Sequence, residues 1–430
     1  MTRLTWCTLI AVTLIAPVAR AQTPAPQAAG DTQKKGGFRL VWNDKPSVRI
    51  GKQIRIDLRV KLQTDFRVSQ WDGLEDEGGL FDFKRKRIGV QGEITKYVDF
   101  EVEAELREEN IWRDAFVNVK PADAFQVQGG KFKMPFSYEQ LTGPTSLDFV
   151  SRSLLAYTIA PARDIGVMAH GRLIGRVLTY EIGAFKNDGE NAKLEEGFLL
   201  PGEEWQNEHG AAARVTVQPF RRLKGAGAFE RLHLGVAYTT SNVPEGLNSL
   251  KGETPLGFVF FEPVYTYGRR WRLGLEAVWM PGPFSIKSEY ARSDEARIRQ
   301  GLGDVDLSDF IASGWYVSGT WALTGESKEN GIEPRRPLFQ GGIGALELGV
   351  RYEELGFGSA LTEGESYTNP RADPVLENRD HVWTVGVNWY LNKWAKIQLN
   401  GFRETFQDPE RSPIAGQPVW SGVCRLQFVM

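Results

Sequence analysis

The chain has 430 residues, with 52 Lys and Arg against 54 Asp and Glu, and a net charge of −2. That balance excludes a generally basic nucleic-acid binder, which needs a clustered cationic surface, and two cysteines exclude a disulfide scaffold or a cysteine-based zinc site. Thirteen Trp and 46 Gly beside 41% hydrophobic residues leave a soluble all-β protein or a membrane barrel with a polar interior.

The N-terminus reads as a secretory signal. Arg3 is positive, Leu4 to Val18 is mostly apolar, and Ala19-Arg20-Ala21 offers the small residues that a signal peptidase accepts. A transmembrane anchor fits less well, because the apolar stretch is short and interrupted by Pro17. Residues 1–21 are therefore expected to form a signal peptide, which contains Cys7 and leaves Cys424 as the mature chain's cysteine. Residues 22–46 begin with a stretch rich in Ala, Pro, Gln, Gly and Lys and read as a flexible lead-in. No Pro/Ser-rich linker divides the rest, so 47–430 reads as one domain.

From there the pattern has period two. Ile54 to Leu62 alternates apolar and polar residues, as do Val98 to Leu106, Trp271 to Trp279 and Trp383 to Leu391. Such alternation puts apolar side chains on one sheet face and polar ones on the other. The pairs Trp271/Trp279, Trp315/Trp321 and Trp383/Trp389 bracket apolar segments as interfacial girdles would, which favours a barrel over a sandwich. Short connections, such as Lys120 to Asp123, Pro281 to Pro283 and Asn392 to Trp394, alternate with long ones at 66–82, 187–209, 241–262, 293–312, 357–380 and 404–418. The fold class is an all-β transmembrane antiparallel barrel of about 16 strands.

Two long loops are acidic. Residues 68–82 hold Asp72, Glu75, Asp76, Glu77 and Asp82 with no basic residue, and 187–209 hold seven carboxylates against Lys193. Both suit a solvated surface; they also suit divalent-cation bridges to lipopolysaccharide phosphates.

If Ile54, Leu58 and Leu62 face lipid, then Arg55, Asp57, Arg59 and Lys61 face the lumen. Arg85 and Arg87 stand beside them on the next strand, and Asp99, Glu101, Glu103 and Glu105 on the third. Arg270 and Arg272 form a second inward pair, with Glu276 on the same face. Two readings are open: a wall of cross-strand ion pairs, or a basic track for anions whose arginines match phosphate oxygens. Period-two strands show no long arginine ladder.

Several segments carry a family resemblance. Phe83 to Gly92, Arg113-Asp114-Ala115-Phe116, Gly130 to Ser137, Glu139 to Thr142, Leu147-Asp148-Phe149, Arg152-Ser153-Leu154 and Ala160-Pro161 with Arg163 resemble the phosphate-selective porin O and P family. Thr384 to Leu391 and Arg425-Leu426-Gln427 are also similar. The resemblance implies a trimeric outer-membrane channel for small hydrophilic solutes that favours anions such as phosphate. It implies a bilayer and lipopolysaccharide as surroundings, and no cofactor. It also implies a constriction loop after Phe132-Lys133, bracketed by Lys131, Lys133, Arg152 and Arg163; Lys133 and Arg152 would act on the ion or pair with Glu139 and Asp148 to pin the loop. Two positions depart from the family: the chain ends Phe428-Val429-Met430 where an aromatic is usual, and Asp164 follows Arg163 where a second base is usual.

A weakly selective general porin is the alternative within transport. A secreted β-sheet adhesin or a barrel hydrolase is the alternative outside it. Against catalysis, none of His170, His209, His233 and His381 lies four residues from another, and no nucleophile motif flanks the inward His233.

Overall fold

The computed structural model describes residues 37–42, 45–71, 73, 80–106, 112–189, 209–360 and 370–430. The expected signal peptide, and the carboxylates of the acidic stretches 68–82 and 187–209 other than Asp82 and Asp188, lie outside the described residues.

The chain enters through a hairpin, β1 (Phe38–Trp42) and β2 (Pro46–Ile50). The first half of the wall is β3 (Ile54–Ser69), β4 (Phe81–Ile94), β5 (Val98–Glu105), β6 (Trp112–Ala122), β7 (Phe125–Lys133), β8 (Arg163–Leu173), β9 (Leu178–Phe185) and β10 (Gly210–Val217). After β11 (His233–Gly246) comes a small separate hairpin, β12 (Gly252–Glu253) and β13 (Val259–Phe261). The wall then continues with β14 (Thr266–Trp279), β15 (Phe284–Arg297), β16 (Leu307–Ala322), β17 (Ala345–Ser359), β18 (Asn378–Tyr390), β19 (Ala395–Phe406) and β20 (Val419–Val429).

Neighbouring wall strands pair antiparallel, and β20 pairs with β3, closing a barrel of sixteen strands among the described residues. Closure is what a bilayer demands, because an open edge would leave main-chain donors unsatisfied in hydrocarbon. At the seam β3 is shared: Lys61–Ser69 pair with β20, while Ile54–Asp57 pair with β2. Met430 and Val60 exchange main-chain hydrogen bonds of 3.0 and 2.9 Å between those two stretches. Phe38–Trp42, the end of the expected flexible lead-in, is thus an ordered strand.

The alternation orients the wall. On β3, Asp57, Lys61, Gln63, Asp65 and Arg67 are buried while Leu62, Phe66 and Val68 are exposed on the outside. Outward aromatics gather at two levels: Trp315, Tyr352 and Trp383 contact one another toward the long loops, and Phe284 stacks on Trp321 toward the short turns.

Two segments fold into the barrel. Residues 134–162, between β7 and β8, carry the short helices α1 (Tyr138–Leu141) and α2 (Leu154–Thr158). Ser137 and Ser153 cap them by accepting from the main-chain N–H of Gln140 and Ala156. The hairpin β12–β13 is the second segment. Phe136, Leu154, Leu155 and Ile159 of the first join Leu256, Phe260 and Phe261 of the second and inward Phe310, Phe357 and Phe402 in one apolar cluster. Part of the lumen is therefore a packed hydrophobic core and not water.

The two faces can be tested by single cysteines in a Cys424→Ser background. Gln128→Cys should react with a small water-soluble thiol reagent, and Val167→Cys only with a lipid-soluble one. Mass shifts read the outcome, and a reversed pattern would mean a register slipped by one residue.

Candidate functional site

Loop 134–162 is where the lumen narrows, and its main chain dictates much of the wall's chemistry. A chain crossing a cavity exposes N–H and C=O groups that need partners. The Glu289 carboxylate on β15 accepts from the N–H groups of Tyr138 and Glu139 at 2.9 and 2.8 Å, at the start of α1. The Glu353 carboxylate on β17 accepts from the Leu154 N–H at 2.6 Å, at the start of α2. Carboxylates suit these places because the first N–H groups of a helix lack intrahelical acceptors. At the other end of α1, Lys133 Nζ donates to the carbonyls of Gln140, Leu141 and Thr142 at 2.6, 3.0 and 3.0 Å. Arg152 donates to those of Glu139 and Thr142 at 3.2 and 2.6 Å. Lys396 on β19 donates to the Leu147 carbonyl at 3.1 Å, and Asn400 Oδ1 accepts from the Val150 N–H at 2.7 Å.

Asp148 is the loop's main ionic anchor. Lys287 of β15 and Lys328, from the turn after β16, each approach it at 2.7 Å. Burial pushes its carboxyl up, but the two ammonium groups prevail and hold it well below the usual carboxylate range.

Most of the cations expected to line the pore are bound to carboxylates. Arg55 lies 3.3 Å from Asp57 and 3.8 Å from Glu93. Arg59 pairs with Glu101, Lys61 with Glu103, and Arg87 with Glu103 and Glu105 at 3.2 and 2.7 Å. Arg163 makes a two-pronged contact with Asp114 at 3.1 and 2.7 Å. The expected cross-strand ion-pair wall is therefore present on β3, β4 and β5.

Arg270 and Arg272 do not line open lumen. Both are 0% exposed. Arg272 grips Asp188 in a fork at 2.6 and 2.7 Å, and Arg270 reaches Asp188 at 2.6 Å as well as Glu295. Asp188 belongs to the acidic stretch 187–209 yet is buried, so this carboxylate is no solvated surface charge. Burial raises its pKa, and the two guanidinium groups pull it well below the ordinary value. Lys131 also departs from expectation. It pairs in register with Ala115 and with Ile165, whose side chain is exposed on the outer face, so it takes the outward row. The neighbouring Phe132 faces inward with Met168 and Phe185.

A different set of cations makes no direct ion pair among the described residues. Arg85 donates to Gln63 Oε1 at 2.6 Å, and neither it nor Lys84 has a carboxylate within ion-pair distance among the described residues. Period two assigns Lys84 to the outer face. However, the β3–β4 register shifts between Gln63 and Asp65, and both Lys84 and Arg85 border the same cavity. A bulge re-aims a side chain in this way. That cavity, of about 190 Å³ on the long-loop side of the constriction, is also bordered by Arg152, Tyr157 and Leu256. A second, of about 530 Å³ on the short-turn side, is bordered by Lys287, Lys328, Lys393 and Lys396 together with Asp148 and Glu329. Acids without a cation partner also exist on the wall. Asp380 on β18 is 0% exposed and has no cation within ion-pair distance among the described residues.

Asp188→Asn leaves Arg272 a buried charge without its carboxylate, so it should cost about 3–5 kcal/mol, read as a lower denaturant midpoint for loss of the heat-modifiable barrel. The pinned Asp148 has a depressed pKa, so the stability it gives is present above the unfolded value and disappears only as pH falls through the lowered one. Single-channel current should therefore stay quiet down to about pH 4, while Asp148→Asn should make it noisy at neutral pH.

With this geometry in view, the chain's relatives are informative. The family described as Phosphate-selective porin O and P matches residues 54–413. Porin O of Pseudomonas aeruginosa is 24% identical over 396 residues, covering 84% of each chain. Among solved structures, the trimer form of OmpT from Vibrio cholerae superposes with a TM-score of 0.53 at 11% identity, over 88% of this chain and all of that one. The anion-selective porin from Comamonas acidovorans does so with a TM-score of 0.50 at 11% identity, again over 88% and 100%. A closed sixteen-strand barrel, an inward loop pinned to its wall and a family match across most of its length make this chain an outer-membrane protein of the Phosphate-selective porin O and P family.

Proposed function

We propose that the barrel is a diffusion channel that passes small hydrophilic anions in preference to cations. The observation that carries this reading is the sorting of charge at the constriction. Glu101, Glu103 and Glu105 of β5 are bound to Arg59, Lys61 and Arg87, whereas Lys84 and Arg85 border the path with no carboxylate within ion-pair distance among the described residues. A neutralised pair contributes little field a few ångströms away. A lone charge beside a water-filled gap of reduced permittivity weighs about 2 kcal/mol on an ion ~8 Å off. The phosphate-selective description of the family and the anion-selective description of the Comamonas porin agree with this sign.

Assembly as a homotrimer surrounded by bilayer and lipopolysaccharide belongs to the same proposal, as does removal of residues 1–21 on export. The apolar outer wall and its two aromatic levels support the membrane setting. No reaction enters this reading: the inward His233 binds Glu276 beside the Tyr138 ring, an arrangement that braces α1.

Lys133 and Arg152 bond the loop's own carbonyls, so replacing them would disturb the loop together with the field. Lys84 and Arg85 separate the two effects. Reversal potentials under a potassium chloride gradient in planar bilayers should show that Lys84→Gln with Arg85→Gln lowers the anion/cation permeability ratio at least about fivefold. An unchanged ratio would assign these cations to bracing.

A further inference from the structure

We propose that the outer wall carries a lipopolysaccharide site on β18–β20, in which Arg403 binds a phosphate of lipid A and a groove over Gly401 and Gly422 seats an acyl chain. This rests on the lipopolysaccharide surroundings proposed above and not on the sign of the channel's selectivity.

Arg403 is an unusual residue for a lipid-facing wall. Its strand neighbours Phe402 and Glu404 are buried, so period two turns Arg403 outward. It pairs in register with Trp383 on β18 and Trp420 on β20, two exposed tryptophans toward the long loops. The Arg403 guanidinium lies 5.9 Å from the centre of the Trp420 ring and has no carboxylate within ion-pair distance among the described residues. Glu354, outward and one row above Trp383, is already held by Arg379 and lies 3.4 Å from His381. A lone cation on the lipid face is costly at the bilayer centre and tolerated near the interface, where headgroups lie. Long loops project from the cell, so this interface belongs to the outer leaflet, which lipopolysaccharide fills. A guanidinium fork matches phosphate oxygens, and an aromatic ring beside it steadies the cation.

Snorkelling alone would carry an arginine to headgroups of any kind. The wall just below supplies the second half of the site. The next outward positions toward the membrane centre are Gly401 on β19 and Gly422 on β20, which pair with each other and carry no side chains. Exposed Val68, Val385 and Leu399 stand around them and leave an apolar groove of about 620 Å³. A Cβ on Gly401 would meet nothing closer than Val385 Cγ2 at 3.6 Å, and one on Gly422 nothing closer than Val68 Cγ2 at 3.3 Å, so protein does not fill the gap. A saturated chain lying in such a groove covers apolar surface and gains close contacts. Lipid A carries its phosphates at the interface and its acyl chains below, in the same order as Arg403 and the groove.

The experiment uses the full-length mature protein folded in detergent, read by native mass spectrometry after addition of bis-phosphorylated lipid A, dephosphorylated lipid A or phosphatidylglycerol. Wild type should retain bis-phosphorylated lipid A at least about fivefold more than either other lipid, and excess inorganic phosphate should not strip it. Arg403→Gln should remove most of that preference and Arg403→Lys should keep part of it. Gly401→Leu, which fills the groove, should weaken retention of both forms of lipid A about fivefold. Heat-modifiable mobility verifies that each barrel is folded, and the comparison of lipids on wild type needs no variant. Equal retention of lipid A by wild type, Arg403→Gln and Gly401→Leu overturns the site and leaves the lipopolysaccharide surroundings standing. A wild type that prefers phosphatidylglycerol overturns both. Dephosphorylated lipid A held as well as the phosphorylated form, or displacement by inorganic phosphate, overturns the inference. Variants that turn a trimer mass into a monomer mass would assign the face to contact between copies and also overturn it.

Discussion

Main-chain groups inside a barrel must be satisfied, and that requirement shapes this lumen more than any demand of the passing solute. Loop 134–162 crosses the interior and brings with it N–H and C=O groups that no strand can pair. The wall answers with side chains of matching sign. Glu289 and Glu353 sit at the two helix starts, Lys133 and Arg152 at the carbonyl end of α1, and Lys396 and Asn400 along the stretch between the helices. The charges and the loop are one construction: without the loop the wall would hold repelling or unpaired groups, and without the wall the loop would carry orphan amides.

This division of labour explains why counting lumen charges says little about selectivity. Arg59, Lys61, Arg87 and Arg163 each have a carboxylate partner, and Arg270 and Arg272 are sealed under Asp188. Such pairs stabilise geometry while nearly cancelling at a distance, because opposite charges a few ångströms apart leave only a dipolar field. The potential along the path is then set by a small remainder. Lys84 and Arg85 are the clearest members, placed where the lumen is narrowed by an apolar plug and charges are screened less than in bulk water.

The architecture was legible in the amino-acid pattern because a lipid-facing wall obeys a strict rule. Alternation over Ile54–Leu62 and Val98–Leu106 oriented Asp57, Lys61 and Glu103 inward, and the tryptophan spacing marked the girdles. The rule fails where its premises fail. It takes the lumen side to be polar, yet Phe310, Phe357 and Phe402 face inward to pack with α2 and the β12–β13 hairpin, and Phe132 faces inward to pack with Met134, Met168 and Phe185. Lys131 accordingly falls on the outer row, beside an inward Phe132 that no local signal identifies. The rule also takes pairing to be regular, and the shift between Gln63 and Asp65 brings Lys84 to the cavity against its parity. Asp188 and Lys328 come from connections, where no periodicity exists to place them.

The same exceptions bear on what the channel can discriminate. A lumen built only by the period-two rule would be polar all round, and a polar annulus distinguishes solutes by charge and size alone. Filling part of it with a hydrophobic plug changes the physics, because the path then runs between a charged wall and an apolar surface. A solute passing there loses water on one flank and meets cations on the other, so the barrier depends on how polar and apolar parts are distributed over the solute as well as on its net charge. Hydration penalises an ion that is polar on every side and spares one with an apolar flank. The feature that makes the loop stable, its burial against Phe260, Phe357 and Phe402, thereby also narrows the part of the lumen left to water.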